Sequence, residues 1–222
     1  MRVLGIIPAQ GRSVAIPLKN IATVHGKPLL SWTIESTFGS RLASVIVSTD
    51  HPQIAEVAIR YRVQIIGQPE FPSTLAMLQW AINQLDPCER PDAVMCLQPT
   101  CPLRRLEDID AAISLMERYQ CDSVVSYVSV GANHPARMAH IAGANRVFPL
   151  DKVSTFTRRQ DLEPVYIRSG DIYLTKREVL ESGSMVGKDQ RALVIPPERF
   201  CNIDDGLDLL VAAAKMEYLC KS

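Results

Sequence analysis

The chain has 222 residues, and its 24 Lys and Arg residues balance 24 Asp and Glu residues, so the formal net charge at neutral pH is zero. This balance excludes nucleic-acid binding that relies on bulk positive charge, but it leaves local basic pockets open. Hydrophobic residues make up 47% of the chain, which is ordinary for a globular protein, and the length predicts a single domain over residues 1–222.

The N-terminus and the cysteines indicate a cytoplasmic protein. No signal peptide follows Met1, and no apolar run in the sequence approaches the length of a membrane span. The six cysteines lack the C-x-x-C spacing of zinc sites. We interpret them as reduced, mostly buried thiols, and we expect no membrane and no nucleic acid among the partners.

Short apolar runs alternate with amphipathic segments along most of the chain. This alternation predicts an α/β fold with a doubly wound, mostly parallel sheet. The predicted strands are residues 3–7, 44–48, 63–66, 93–97, 123–128, 171–175 and 191–195, and the predicted helices are 28–38, 52–60, 74–85, 107–119 and 205–220. Residues 131–168 break the rhythm with Gly, Pro, Asn and charged residues, which predicts a small protruding subdomain or extended hairpin.

Polar clusters follow three of the predicted strands, at residues 8–20, 49–51 and 98–104. Ligands of open α/β sheets collect at the carboxyl ends of the strands, so we expect these clusters to line one crevice. The first cluster is a tight polar loop with Gly and basic residues, which is typical of phosphate binding through backbone N–H groups and positive charge. It matches neither the Walker A pattern nor G-x-G-x-x-G, and therefore predicts a nucleotide loop of another kind.

Several stretches carry a more specific signal. Residues 6–21 read I-I-P-A-Q-G-R-S-V-A-I-P-L-K-N-I, residues 97–104 read L-Q-P-T-C-P-L-R, and residues 202–209 read N-I-D-D-G-L-D-L. In this order they resemble the acylneuraminate cytidylyltransferase family, whose members make CMP-sialic acid and related CMP-nonulosonates. The related enzymes for the eight-carbon sugar Kdo carry Q-G-D-E-P where residues 98–102 read Q-P-T-C-P, so the chain looks like the nine-carbon branch.

The resemblance implies a Rossmann-like nucleotidyltransferase fold of the glycosyltransferase-A type. It also implies transfer of CMP from CTP to a sialic-acid-like nonulosonic acid with release of pyrophosphate, and Mg²⁺ as the cofactor. Family members are commonly homodimers, and we expect the contact to centre on residues 133–165 within a dimerisation and sugar-site insertion over residues 131–168.

Site residues follow from matching the family's motifs position by position. The implied catalytic residues are Arg12, Lys19 and Asp204, and the implied Mg²⁺ ligands are Asp204 and Asn202. The implied nucleotide-binding residues are Ala9, Gln10, Gly11, Arg12, Ser13, Asn20, Ser73, Gln98 and Thr100. The implied sugar-binding residues are His140, Arg159, Gln160, Ser169, Asp171 and Tyr173.

Departures from the family's pattern concentrate in these loops. Gln10 and Val14 stand where relatives carry Arg and Lys, so the phosphate loop has lost positive charge that Arg12 restores only in part. Asn202 stands where relatives carry the first Asp of a metal-binding D-I-D, and we interpret the following Asp205 as the N-cap of the last helix.

Other positions keep two interpretations. Arg159 suits a sugar-acid carboxylate through bidentate pairing. Each of the other sugar-side residues is alternatively a solvated surface residue. Two other functions also stay open: an impaired homologue that binds nucleotide or activated sugar in a regulatory role, and a nucleotidyltransferase with altered nucleotide or sugar specificity.

Overall fold

The computed structural model of the chain describes residues 1–67, 69–150 and 158–221. Its strands are β1 (Val3–Pro8), β2 (Thr23–Val24), β3 (Lys27–Pro28), β4 (Ser44–Thr49), β5 (Gln64–Gly67), β6 (Ala93–Cys96), β7 (Ser123–Ser129), β8 (Ala139–Ala142), β9 (Arg146–Pro149), β10 (Tyr166–Lys176) and β11 (Gln190–Val194). Its helices are α1 (Leu29–Glu35), α2 (Pro52–Arg60), α3 (Thr74–Asn83), α4 (Leu106–Tyr119), α5 (Arg177–Glu181) and α6 (Gly206–Lys221).

A seven-stranded sheet in the order β5-β4-β1-β6-β10-β7-β11 organises these elements. β1 pairs in parallel with both β4 and β6, and β4 with β5 and β7 with β11 are also parallel pairs. β10 runs antiparallel between β6 and β7. The predicted doubly wound, mostly parallel sheet is therefore confirmed.

The core lies on both faces of the sheet because neighbouring residues of a strand point to opposite sides. In β1, Val3 and Ile7 pack in a cluster with Ile34 of α1 and Ile54 of α2. Leu4 and Ile6 instead pack with residues of α3 and α5, namely Met77, Leu78, Ile82 and Leu180. Helices thus cover both faces, and strands β1, β4 and β6 are buried with their carboxyl ends at one edge.

α1 is shorter than the predicted helix over residues 28–38. The hydroxyls of Ser36 and Thr37 donate to the carbonyls of Thr33 and Ile34, each three residues back. Such side-chain bonds compete with the helical ladder and favour its end. No helix among the described residues is long and apolar enough to cross a lipid bilayer.

β8 and β9 form a separate two-stranded hairpin, in which Ile141 lies opposite Val147 and His140 opposite Phe148. Every residue of both strands is exposed. The hairpin falls within residues 131–168, but residues 151–157 lie outside the described part and residues 166–168 belong to β10. The extent of the protruding segment therefore stays a prediction.

β10 begins five residues before the predicted strand over residues 171–175. Its first part was not predicted because a bulge separates it from the second part. Arg168 lies opposite Tyr127 of β7, but Tyr173 lies opposite Val125, so three extra residues are accommodated between these pairs. Within the bulge, the N–H of Ile172 donates to the Ser126 hydroxyl at 2.8 Å. Gly170, with φ of +86°, takes the left-handed turn that a glycine allows.

Candidate active site

A cleft of about 450 Å³ opens at the carboxyl ends of β1 and β6. It brings together ten of the predicted site residues, namely Gln10, Arg12, Ser13, Lys19, Asn20, Ser73, Gln98, Thr100, Asn202 and Asp204. Its other lining residues are Pro8, Phe71, Pro72, Thr74, Met77 and Pro99. Phe71 and Met77 were not predicted, because an apolar residue of a loop or helix gives no sequence signal that separates a cleft wall from the core.

The loop after β1 is fastened to the end of β4. The N–H of Ala9 donates to the Ser48 carbonyl at 2.8 Å, and the N–H of Gly11 donates to Asp50 Oδ1 at 2.7 Å. A Cβ at Gly11 would lie only 2.8 Å from Cβ of His51, so this position requires a glycine. Ala9 and Gly11 do not line the cleft, and these two N–H groups are engaged within the protein. Their contact with a nucleotide stays a prediction.

Arg12 and Glu70 form an ion pair between the phosphate loop and the loop before α3. Their side chains are 79% and 73% exposed. Exposed pairs contribute little to stability, about 0–1 kcal/mol, so Arg12 can exchange this partner at small cost.

Lys19 connects the first polar cluster to the C-terminal part of the chain. Its Nζ donates to the Ile203 carbonyl at 2.9 Å and lies 3.4 Å from Asp204 Oδ1. Nearby, Asn20 Nδ2 donates to the Gln10 carbonyl at 2.7 Å and holds the loop shape. Lys19 and Arg12 are the cations that line the described cleft, and Asp204 is its carboxylate.

Asp204 sits just before α6, and its main chain is held by the helix cap. Asp208 Oδ2 accepts the N–H groups of Asp204 and Asp205, while Asp205 Oδ1 accepts those of Leu207 and Asp208. This reciprocal capping agrees with the N-cap interpretation of Asp205. The N–H of Ile203 also donates to the Thr100 carbonyl at 2.9 Å, which joins the metal-candidate segment to the loop after β6.

The bulge of β10 contributes no lining residue but packs beneath Gln98 and Asn202, and we call this support the cleft floor. A Cβ at Gly170 would lie 3.2 Å from Cys101 Sγ, 3.5 Å from Gln98 Oε1 and 3.8 Å from Asn202 Oδ1. Burial raises the pKa of the Cys101 thiol, so the S–H stays protonated and donates to the Ser169 carbonyl at 3.6 Å.

Arg104 ties this floor to the loop after β6. Its buried guanidinium donates to the carbonyls of Asp171 at 2.6 Å and Gln98 at 2.7 Å, and it lies 3.4 Å from the Thr33 hydroxyl oxygen. Arg104 therefore holds the loop after β6 against the β10 bulge.

Ser169 and Asp171 do not line the cleft, in contrast to their predicted contact with sugar. Both side chains are only 1% exposed, because the bulge turns them beneath Cys101 and toward Arg104. Asp171 Oδ2 and the Ser169 hydroxyl have no hydrogen-bond partner among the described residues. Burial raises the pKa of the Asp171 carboxyl, and the Arg104 guanidinium opposes this rise.

The other sugar-side candidates also lie away from the cleft lining. Tyr173 packs among core residues beside α3, and burial raises the pKa of its hydroxyl. His140 is exposed on the hairpin and Gln160 on a short turn. Arg159 lies in that turn, but its side chain is outside the described part of the structure.

The cleft offers few side-chain ligands for a divalent cation. Among the described residues, no three His, Cys, Asp or Glu side chains are arranged to hold a metal. Asp204 offers one carboxylate, while the Asn202 amide turns its Nδ2 toward that carboxylate at 3.0 Å. Mg²⁺ usually binds one or two carboxylates together with substrate phosphates. This donor set fits a cation that is shared with a phosphate ligand.

The fold and the cleft define the class: an α/β protein with a nucleotide-sized polar cleft at the carboxyl edge of its parallel strands. The chain belongs to the cytidylyltransferase family, because residues 4–204 match the sequence model of that family.

Two relatives and one solved structure show what the chain is similar to. The chain is 31% identical over 219 residues to a pseudaminic acid cytidylyltransferase of Campylobacter jejuni subsp. jejuni serotype O:2, and the match covers 94% of each protein. It is 30% identical to N-acylneuraminate cytidylyltransferase A of Danio rerio over 96% of this chain, but it spans about half of that relative, 50% of its length. A CMP:2-keto-3-deoxy-manno-octonic acid synthetase solved with CTP shares the fold, with a TM-score of 0.76 at 17% identity, over 99% of this chain and 100% of that one.

Proposed function

We propose that the chain transfers CMP from CTP to a sialic-acid-like nonulosonic acid. The observation that carries this proposal is the convergence of Lys19, Gln98 and Asp204, from three distant segments, on one cleft of a cytidylyltransferase fold. Relatives that match over most of their length bear the names of nonulosonic acid cytidylyltransferases, which supports an acceptor of the same class.

In this reaction a hydroxyl oxygen of the sugar acid attacks the α-phosphorus of CTP. The bond from that phosphorus to the bridging oxygen breaks, pyrophosphate leaves with the electron pair, and the hydroxyl proton passes to solvent. Such a transfer depends on positioning and on charge stabilisation more than on covalent participation of the protein.

The cleft residues have distinct roles in this proposal. Lys19 and Arg12 neutralise the triphosphate, with Arg12 leaving Glu70 to do so. Gln98 carries both a donor and an acceptor, which suits the edge of a pyrimidine or a ribose, with Thr100 beside it. Gln10, Ser13, Asn20 and Ser73 surround the phosphates and the ribose.

Mg²⁺, held at Asp204 together with the triphosphate, would supply further neutralisation of phosphate charge. On the sugar side, Arg159, Gln160 and His140 belong to the protruding segment, where a guanidinium suits a carboxylate. We infer that this segment also forms a homodimer, because Ile141, Val147 and Phe148 expose apolar surface on the hairpin. We keep the cytoplasm as the expected location.

A substrate panel tests the proposal. Pyrophosphate release is measured with CTP, UTP, ATP and GTP, each combined with a nonulosonic acid or with eight-carbon Kdo, in the presence of Mg²⁺. We expect release with CTP and a nine-carbon acid, and mass spectrometry should identify the CMP-sugar. If no combination releases pyrophosphate although calorimetry still detects CTP binding, the result would contradict catalysis. It would then support a regulatory homologue, which no present observation favours.

A further inference from the structure

Both oxygens of the Asp204 carboxylate already face a nitrogen donor. Asn202 Nδ2 donates to Asp204 Oδ2 at 3.0 Å, and Lys19 Nζ lies 3.4 Å from Asp204 Oδ1. The Lys19 side chain is 16% exposed and is fixed by its bond to the Ile203 carbonyl, while the Asp204 side chain is 73% exposed. The ammonium is therefore held in place beside a carboxylate that faces solvent. The counter-charge of Asp204 is therefore supplied by the protein.

The amide of Asn202 has one orientation that suits this arrangement. Its Oδ1 points away from Asp204, at 3.9 Å from Cys101 Sγ and next to the space above Gly170. The reverse orientation would place the amide oxygen against Asp204 Oδ2, and two acceptors without a shared proton or cation repel each other.

The charge of these side chains also argues against a divalent-cation site in the nucleotide-free protein. Lys19 and Asp204 cancel, and Asn202 adds no charge, so this group of three side chains is formally neutral. Mg²⁺ gives up its water reluctantly and is bound by carboxylates and phosphates, and a neighbouring ammonium repels it. A neutral group with an ammonium 3.4 Å from its one carboxylate lacks what a free divalent cation requires.

We propose that Asn202 is a positioning residue that holds Asp204 through its side-chain N–H, and that the nucleotide-free protein has no divalent-cation site here. The cation then enters only with the triphosphate, a second statement that rests on the proposed function. On this proposal Asn202 is not a metal ligand, in contrast to the role that the family resemblance implies.

Manganese binding to the nucleotide-free protein tests the first statement without any activity measurement. Free Mn²⁺ is followed by electron paramagnetic resonance for the wild type, Asn202→Asp and Asn202→Ala. We expect no saturable site in the wild type or in Asn202→Ala up to about 1 mM, and one site in Asn202→Asp at least about tenfold tighter, because a second carboxylate makes the group negative. One stoichiometric site in the wild type that Asn202→Ala abolishes would overturn the proposal.

Calorimetry with CTP, in EDTA and in Mg²⁺, tests the second statement. In EDTA we expect Asn202→Asp to bind CTP at least about tenfold more weakly than the wild type, with recovery in Mg²⁺, because its added charge repels the phosphates. Asn202→Ala should weaken CTP binding by a similar factor in both buffers, and identical behaviour of the two variants would contradict the role of charge. Absence of CTP binding to the wild type would refute the proposed function but leave the manganese result valid. If circular dichroism shows that Asn202→Asp does not fold, the comparison of the wild type with Asn202→Ala still tests whether Asn202 is a metal ligand.

Discussion

Gly170 and Gly183 have nearly the same backbone conformation in very different surroundings. Their φ angles are +86° and +91°. A Cβ at Gly170 would touch Cys101 Sγ and Gln98 Oε1 at the cleft floor, but nothing lies within 4 Å of a Cβ at Gly183. Alanine substitutions at these two positions therefore separate the free-energy cost of backbone strain from the cost of steric crowding.

We expect Gly170→Ala and Gly183→Ala each to lose about 1–2 kcal/mol of stability, because an L-residue is strained in the left-handed region. Gly170→Ala alone should also weaken CTP binding, since its methyl group would lie 3.2 Å from Cys101 Sγ and push this side chain in the loop that carries Gln98 and Thr100. Thermal denaturation and calorimetry with CTP measure the two effects. Unchanged CTP affinity in Gly170→Ala would contradict the assignment of the bulge as the cleft floor.

Lys19 is the less exposed of the two cations at the cleft. We expect Lys19→Met to lower kcat/KM for CTP about 10- to 100-fold, because hydrogen bonds to charged groups contribute about 1.5–3 kcal/mol. Pyrophosphate release measures the loss, and Lys188→Met, at an exposed lysine, is the matched control. Equal activity of the two variants would remove Lys19 from the proposed machinery.

For single residues, the sequence predicted which ones come together at the cleft better than it predicted the direction of their side chains. Lys19 and Gln98 belong to polar clusters that follow strand ends, and strand ends of a parallel sheet converge at one edge. Asp204 was implied only by the family resemblance. Ser169 and Asp171 were misplaced because their direction depends on a three-residue bulge that sequence periodicity does not reveal.

Among the elements, β10 carries a buried ionisable group that makes stability depend on pH. Burial raises the pKa of Asp171 above its ordinary value of 3.8. The folded state therefore holds this proton more tightly than the unfolded state, so the contribution of Asp171 is fully present below about pH 3.8 and declines as pH rises through the folded pKa.

We expect Asp171→Asn to gain stability relative to the wild type as pH rises from about 4 to about 7, because the asparagine cannot ionise. The gain should be about 1.4 kcal/mol for each unit of pKa difference between the folded and unfolded states. Urea denaturation across this range measures it. Thr175→Val, a buried uncharged change in the same strand, should show a constant difference, and a constant difference for Asp171→Asn would contradict the prediction.

The elements themselves were predicted where apolar runs are continuous. β1 and β6 are buried along nearly their whole length and β4 along its last four residues, so each contains a hydrophobic run. The first half of β10 was missed because Tyr166, Arg168 and Gly170 interrupt such a run. A protruding subdomain or extended hairpin was predicted over residues 131–168, but the bounds of β8 and β9 were not, since every residue of both strands is exposed and needs no alternating pattern.

For the molecule as a whole, the exposed hairpin is the surface on which a homodimer depends. Ile141 and Val147 lie opposite each other and are 72% and 63% exposed. We expect Ile141→Asp to shift the protein to monomers in sedimentation velocity, because a charge buried in an apolar contact is costly. Leu210→Asp, at an equally exposed leucine of α6, should leave the assembly unchanged, and a monomeric wild type would refute the dimer.

The order of strands in the sheet could not be predicted from the sequence. Alternation of strands and helices predicts a parallel sheet, but it does not reveal that β10 enters between β6 and β7. That arrangement is decided by long-range pairing, such as Tyr173 between Cys96 and Val125, which leaves no local pattern.

The late insertion of β10 has a consequence for synthesis on the ribosome. Until about residue 176 has left the exit tunnel, β6 and β7 each lack the neighbour that finally separates them. Their open edges can join to each other or to another nascent chain, and such edges promote aggregation. The cleft floor belongs to β10, which is synthesised after β6 and β7. A ribosome that stalls before this point therefore releases a fragment that is prone to aggregate and lacks a complete cleft.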